Sequence, residues 1–525
     1  MDISIIVATY NYAKTLRQVL ETLLQVEIPQ GIQHEILIVD NNSTDDTASV
    51  VKRISEKHPN VRYLLEKERG TSNARNLAIS EAQGKLLLFT DHDVFVDKGW
   101  VRAYWDLFQN KRVKVAQGKI LLDKELTDMP PWADLKTLPY FDPQGEREYV
   151  EELIACNIAA RKEIFELYGC FSPFLGPGKT GAGEDTELGS RFMAVGLNLH
   201  YCPEAVVYHE SIPERTTSQY YLDRVNMTGR CGATRQILLE WERPRQARII
   251  AKLAKYSLKC VLARLAGRES RLFKNKRKTV HYRGALIGTR DALEEKRRIC
   301  EKKPTLSGCV ITQNSAHCLG KALKSIEGLC DEIVVVDGGS EDNTAEIAKS
   351  FDKVRYFVRP WPGNYSEQKN WAFNKARGDW ILSLDSDEVV GASMRSKISD
   401  LMRSKKHCCY KFPRFWLISD SPCRYVHNPH LYPDYQQRLF RNIPMFRYTS
   451  DRVNHHRFPP LVRGRAKKVK DTHIFHYDYM YNDRVRREAK VADRIKAQPE
   501  TADVDRKCYL YEDFPHRMKS CTEEL

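Results

Sequence analysis

Residues 86–96, LLLFTDHDVFV, and residues 380–390, WILSLDSDEVV, are apolar runs that each end in two aspartates one residue apart. They close a longer repetition. ISIIVATYNYAKTLRQVLETL (3–23) parallels LSGCVITQNSAHCLGKALKSI (306–326): an apolar strand, a polar turn with Asn, then a segment of helical period. HEILIVDNNSTDDTASVVKRI (34–54) parallels DEIVVVDGGSEDNTAEIAKSF (331–351), each a β-branched strand ending in Asp before an acid-capped helix start. GTSNARNLAISEAQGKLLLFTDHD (70–93) parallels NYSEQKNWAFNKARGDWILSLDSD (364–387), a helix, a Gly, and the strand that delivers Asp-x-Asp. Asp40 precedes Asp91 by 51 residues and Asp337 precedes Asp385 by 48. Strands alternating with helices at this pitch predict parallel α/β sheets with ligands at the carboxyl ends of the strands. The chain therefore reads as a tandem duplication of one α/β domain.

An isolated Asp-x-Asp carries little weight, because roughly one is expected by chance in a chain this long. Asp503-Val504-Asp505 has no strand before it and is given no role. The other two gain their meaning from the buried strand before them and from the earlier strand-end aspartate. A chain of 525 residues is too long for one ordinary core, and 42% apolar residues suit a folded protein. The N-terminus, MDISIIVATYNYAKTL, lacks a basic flank and reads as a first strand, not a signal peptide. Fourteen cysteines lie scattered without repeated C-x-x-C pairs, which predicts reduced packing residues in a cytosolic protein.

Two carboxylates at a strand end, beside helix N-termini, suit a hard divalent cation with oxygen ligands and room for a diphosphate. Asp40 and Asp337, at the neighbouring strand ends, are placed to accept hydrogen bonds from a base or ribose. No G-x-G-x-x-G follows the first strand in either copy, and there is no complete Walker-type loop. These absences exclude dinucleotide dehydrogenases and P-loop phosphoryl transfer. Nucleotide binding by Asp-x-Asp and metal points instead to nucleotide-sugar chemistry.

Over about 200 residues the first copy resembles an inverting glycosyltransferase of family 2 with the GT-A fold. The resemblance rests on VATYN, VDNNSTDDT, GTSNARN, TDHD, CNIAARKEIFELYGCF, GAGEDTELGSRF and VVYHE. It implies that Thr9, Asp40, Asn73, Arg75 and Asp91 bind the donor, that Asp93 and His209 hold the metal, and that Glu184-Asp185 is the Glu-Asp pair with Asp185 as general base. A carboxylate in that role takes the proton of an acceptor hydroxyl as the new bond forms.

The second copy resembles the lipopolysaccharide-core glucosyltransferase-like branch of the same superfamily, through VVVDGGSEDNT, SEQKNWAFNKARGDWILSLDSDE, YQQRLFRN and HIFHYDYM. There the resemblance implies donor contacts from Asp337, Gln368, Lys369 and Asp385, and metal ligation by Asp387 and His476. Its base stays open. The chain has RVNHH where that branch reads Val-His-Glu, leaving His455, His456, Glu388 and Asp451 as candidates.

Residues 215–300 hold 22 Lys and Arg against 7 Asp and Glu, a net of +15, which equals the charge of the whole chain. Within them 236–266 has helical period, with Ile249, Leu253, Tyr256 and Cys260 as an apolar stripe beside Arg248, Lys252, Lys255 and Lys259. This stripe either packs on the first domain or lies on an anionic membrane. Residues 271–284 read as a loop, and the aromatics are too few for a nucleic-acid platform.

The expectation is thus an α/β chain of two GT-A domains, 1–214 and 301–482, joined by a basic helical segment, 215–300, and followed by a polar helical tail, 483–525. Acceptor specificity is expected in loops at 120–150 and 411–435. The expected activity is bifunctional transfer from UDP-, GDP- or dTDP-sugars, with one Mn2+ or Mg2+ per domain. The acceptor is a surface glycan or a lipid-linked sugar. The expected location is cytoplasmic, peripheral on the inner face of the membrane.

Overall fold

The computed structural model describes residues 1–124, 138–143, 145–242, 245–427, 433–449, 457–513 and 517–521. The chain forms two compact units, Met1–Lys296 and Arg297–Leu525.

In the first unit the strands are β1 (Ile3–Thr9), β2 (His34–Asp40), β3 (Val61–Leu65), β4 (Leu86–Asp91), β5 (Val94–Val96), β6 (Val115–Leu122), β7 (Tyr149–Val150), β8 (Ile158–Arg161) and β9 (Leu199–His209). Their order is β3-β2-β1-β4-β8-β6-β9-β5, with β7 on β9. The first four are parallel, and register sets Thr9 opposite Asp40 and Ala8 opposite Asp91, so the acidic strand ends share one edge. β1 is buried throughout, as a strand covered on both faces should be. The helix Ala13–Leu23 buries Leu16, Val19, Leu20 and Leu23 against the sheet, the i, i+3, i+4, i+7 pattern of one helical face.

The second unit repeats the plan. Its strands are β10 (Leu306–Thr312), β11 (Glu332–Asp337), β12 (Val354–Val358), β13 (Trp380–Asp385), β14 (Glu388–Val390), β15 (Cys409–Asp420), β16 (Cys423–His427), β17 (Asp434–Arg441), β18 (Lys467–Lys468), β19 (Ile474–His476) and β20 (Arg517–Ser520). The main order is β12-β11-β10-β13-β17-β15-β16-β20. Thr312 pairs with Asp337 and Ile311 with Asp385, the register of the first unit residue for residue. Leu319, Ala322, Leu323 and Ile326 of the helix Leu319–Glu327 repeat the buried spacing of the first helix. The copies match in side-chain bonds too. Ser4 donates to Glu35 at 2.7 Å and Arg62 pairs with Glu35 at 2.6 Å, while Ser307 donates to Glu332 at 2.7 Å and Arg355 pairs with Glu332 at 2.6 Å.

Several expectations are corrected. Residues 271–284 are not a loop but part of a long helix, Glu269–Glu301. Its buried face is Gly284, Ala285, Gly288, Thr289 and Ala292, small residues that carry no hydrophobic signal. The basic helix before it begins only at Gln246 and runs to Leu265. Its predicted stripe packs on the long helix: Tyr256 stacks on Tyr282 at 5.8 Å, and Cys260 meets Thr279 at 3.6 Å. Residues 411–420 belong to β15, not to a loop. The C-terminal tail is helical over Arg484–Ala497 and Ala502–Tyr509, then adds β20 to β16. Val491 and Tyr509 there join Trp416 and Val426 in one apolar cluster. Asp505, of the discounted Asp-x-Asp, lies in a helix and pairs with Arg494 at 3.4 Å.

All fourteen cysteines are free. Among the described residues no helix is long and apolar enough to cross a membrane.

Candidate active sites

In the first unit β5 follows the Asp-x-Asp turn and pairs antiparallel with the end of β9, Val94 opposite His209. This pairing brings Asp93 to His209, whose Nε2 lies 3.6 Å from the carboxylate. Arg215 stands against both, donating to Asp93 at 2.8 Å and to His209 Nδ1 at 2.8 Å. Burial pushes the Asp93 carboxyl up, but His209, His92 and Arg215 outweigh it and hold it below its ordinary range. Burial pushes His209 down, so its imidazole favours the neutral form that a metal requires.

Arg75 projects from the helix Thr71–Glu81, 2% exposed, and bridges Asp91 at 2.7 Å to Glu184 at 2.9 Å. Removing one partner of such a buried pair costs about 3–5 kcal/mol, so Arg75 is a strut as much as a binding group. Burial and the neighbouring Asp185 push Glu184 up to about 7, against the opposing pull of Arg75. Asp185, beside it in the first turn of the helix Glu184–Ala194, accepts from Ala155 N–H at 3.2 Å and Thr186 N–H at 2.7 Å. The chain reaches that turn through Gly183 at φ +95°, where a Cβ would come within 2.1 Å of Cys231 Sγ.

A cavity of about 1430 Å³ opens over these strand ends, and Thr9, Arg75, Asp91, Asp93, Asp185 and His209 are among its lining. Asp40 and Asn73 are not. Asp40 is 2% exposed and turned into its own loop, accepting from Ser43 N–H at 2.8 Å and Tyr63 OH at 2.8 Å. Asn73 donates to the carbonyls of Glu68 and Arg69, at 3.5 and 3.4 Å.

The second unit uses the same logic with other residues. β14 pairs with β19, Glu388 opposite His476, which brings Asp387 within 3.3 Å of His476. Asp478, two residues on, completes a cluster whose ligand atoms lie within 4.8 Å of one another. Burial opposes ionisation of Asp387, but His476 holds its carboxyl well below the usual range. His476 Nδ1 and Asp478 Oδ2 are buried without a hydrogen-bond partner among the described residues. An O, N, O donor set fits Mn2+ or Mg2+, provided the Lys490 ammonium, which pairs with Asp478, gives way. In the first unit Asp93 and His209 fit as well, provided the Arg215 guanidinium gives way.

Lys369 takes the place of Arg75, its ammonium 2.6 Å from Asp385. Arg438 ties Asp385 to Glu388, at 2.6 Å to each, and Arg414 adds a bond to Glu388 at 2.9 Å. Glu388 is thereby fully buried between two guanidinium groups, an arrangement that fits a brace better than a base. Gln368 is held by Arg359, accepting at 2.7 Å. Asp337 is fully buried, accepting from Gly339 and Ser340 N–H and from Tyr356 OH at 2.6 Å, as Asp40 does from Tyr63. Thr9 and Thr312, each ending the first strand of its own unit, both have a buried hydroxyl without a partner among the described residues. Asp451, His455 and His456 lie outside the described residues.

Sequence reading missed Arg215, Asp478, Arg414, Arg438 and the paired Tyr63 and Tyr356. Arg438 and Asp478 stood inside motifs already singled out, YQQRLFRN and HIFHYDYM.

Each unit thus carries acidic strand ends along one edge of its own α/β sheet. The family model for Glycosyl transferase family 2 matches residues 4–169 and 307–450, once in each unit and over more than half of the chain. The chain belongs to that family. Among curated relatives, an uncharacterized glycosyltransferase of Rickettsia bellii is 34% identical over 105 residues, 20% of this chain and 35% of that protein. The lipopolysaccharide core biosynthesis glycosyltransferase LpsC of Rhizobium meliloti is 35% identical over 104 residues, 19% of this chain and 38% of its own length. The chain thus spans about a third of the length of these relatives. Among solved structures, S. aureus TarS is 17% identical with TM-score 0.34, over 54% of this chain and 55% of that one. The Pyrobaculum calidifontis mannosyltransferase PcManGT, solved with GDP-Man and Mn2+, is 19% identical with TM-score 0.34, over 56% and 75%.

Proposed function

We propose that the chain is a bifunctional, metal-dependent, inverting glycosyltransferase. It draws on two nucleotide-diphosphate sugars, UDP-, GDP- or dTDP-linked, and adds two sugars to a growing polysaccharide, lipopolysaccharide or glycolipid. It works in the cytoplasm at the inner face of the membrane. The observation that carries this reading is the recurrence in both units of a strand-end Thr, a strand-end Asp, an Asp-x-Asp and a His brought to it by strand pairing. The likeness to LpsC supports an acceptor of the surface-glycan kind.

Asp93 with His209, and Asp387 with His476 and Asp478, would hold Mn2+ or Mg2+. The ion when bound supplies positive charge for the departing nucleoside diphosphate. Arg75 and Lys369 fix the orientation of Asp91 and Asp385 at the diphosphate. Asp40 and Asp337, buried and bonded within their own turns and to Tyr63 and Tyr356, shape the strand-end edge on which the nucleoside rests. Asp185 takes the proton of the acceptor hydroxyl, its carboxylate aimed by the N–H groups of Ala155 and Thr186. Attack from its side, opposite the leaving group, inverts the anomeric centre. The first unit's cavity is roomy enough for donor and acceptor together.

A second reading gives transfer to the first unit alone, with the other unit docking the acceptor; it is favoured by the enclosure of Glu388. The two are separated by nucleotide release from a panel of UDP-, GDP- and dTDP-sugars with Mn2+, comparing Asp91→Ala/Asp93→Ala with Asp385→Ala/Asp387→Ala. Two transferases predict that each variant loses a different donor, by about a hundredfold or more, and that EDTA abolishes both. Loss of all turnover in the first variant and none in the second establishes the docking reading.

A further inference from the structure

The basic helix Gln246–Leu265 has three faces. The first packs on the long helix, through Tyr256 on Tyr282 and Cys260 on Thr279. The second carries Arg248, Lys252, Lys255 and Lys259; Lys252 rests over the Tyr282 ring at 5.2 Å and Lys259 over Tyr256 at 5.8 Å, and Arg248 and Lys255 are exposed. The third is apolar and open. Ile250 is 52% exposed, Leu258 60%, Val261 54%, Leu262 56% and Leu265 80%. Counted on a helix of 3.6 residues per turn, residues 250, 258, 261 and 265 fall on one stripe, with Leu262 at its edge. These five are nearly half of the twelve exposed large apolar side chains among the described residues, and they sit on one helix of 20 residues.

Such a concentration is unusual for a surface in water and marks a contact. Beside it lies the row of four cations, within a segment that carries the chain's whole net charge of +15. An apolar stripe flanked by Lys and Arg, on a helix too polar to span, is the pattern of a helix lying in the headgroup region of an anionic bilayer. We infer that Ile250, Leu258, Val261, Leu262 and Leu265 insert into the surface of an anionic lipid bilayer, with Arg248, Lys252, Lys255 and Lys259 meeting its headgroups. The face differs from the 249-253-256-260 stripe that the sequence alone brings forward, whose Tyr256 and Cys260 meet the long helix. The inference deepens the proposed location by naming the surface that meets the membrane. It stands or falls separately, because vesicle binding is read without turnover.

The test is flotation of the full chain with vesicles of phosphatidylcholine alone and of phosphatidylcholine mixed equally with phosphatidylglycerol. Wild type is expected to float with the mixed vesicles about tenfold better than with the neutral ones, and less so as salt rises. Leu258→Gln/Val261→Gln/Leu265→Gln is expected to lose about tenfold or more, and Arg248→Glu/Lys255→Glu likewise. These side chains are exposed, so both variants keep the fold, checked by circular dichroism. Equal flotation of wild type and the triple variant, or no preference for anionic vesicles, overturns the inference. So does a concentration-dependent dimer of wild type that the triple variant abolishes, which assigns the face to a second copy of the chain. Donor turnover measured on the same samples reports separately on the proposed activity.

Discussion

Glu184 begins its helix 5% exposed, with Asp185 as its neighbour and the Arg75 guanidinium bonded to its carboxylate. Burial and Asp185 raise its pKa from 4.5 to about 7. A group raised in the folded state stabilises the fold fully below its unfolded value and loses that contribution as pH rises through the folded one. The window here runs from about pH 4.5 to about 7. Glu184→Gln, which keeps an acceptor for Arg75, is therefore expected to gain about 1–3 kcal/mol relative to wild type between pH 5 and pH 8. Denaturant melts at the two pH values measure it. A stability difference that does not change with pH contradicts the assignment of Glu184 as the group kept part-protonated by burial.

At the scale of elements, the helices Ser218–Thr234 and Glu269–Glu301 approach through glycine. A Cβ on Gly284 would come within 2.2 Å of Asn226 O, one on Gly229 within 2.2 Å of His281 O, and one on Gly288 within 2.5 Å of Arg230 O. Backbone cannot yield as a flexible side chain does, so Gly284→Ala is expected to cost about 2 kcal/mol or more despite its gain in helix propensity. Chemical denaturation checks this, and a neutral or stabilising result contradicts the close crossing. This crossing also explains a limit of sequence reading. Strands, strand-end aspartates and the two histidines that strand pairing brings to them were legible as residues to watch, because alternation, β-branched runs and terminal Asp are local signals. The long helix was not, because its buried face is Gly, Ala and Thr and its exposed face is charged. Arg215 escaped for a different reason: its partner Asp93 is 122 residues away, and only the β5–β9 pairing brings them together. Asp478 likewise gains its place from the pairing of β14 with β19.

At the scale of the whole molecule, the duplication is a duplication of function only if both strand-end sites take up their ligands. Register, buried serine–glutamate–arginine triads and tyrosine-held aspartates recur in both copies. The Asp–His sets do not: Asp93 and His209 share Arg215, while Asp387 and His476 have Asp478. The account therefore predicts two donor sites of unequal metal affinity, the second unit binding the more tightly because its ion has to displace the Lys490 ammonium from Asp478 alone, whereas in the first the Arg215 guanidinium must leave both ligands. The most direct test is isothermal titration of the full chain with Mn2+ in the presence of a saturating nucleoside diphosphate. The predicted result is two ions per chain in two phases, with the weaker phase lost in Asp91→Ala/Asp93→Ala and the tighter lost in Asp385→Ala/Asp387→Ala. A single ion per chain, untouched by one of the two variants, would contradict a chain with two working sites.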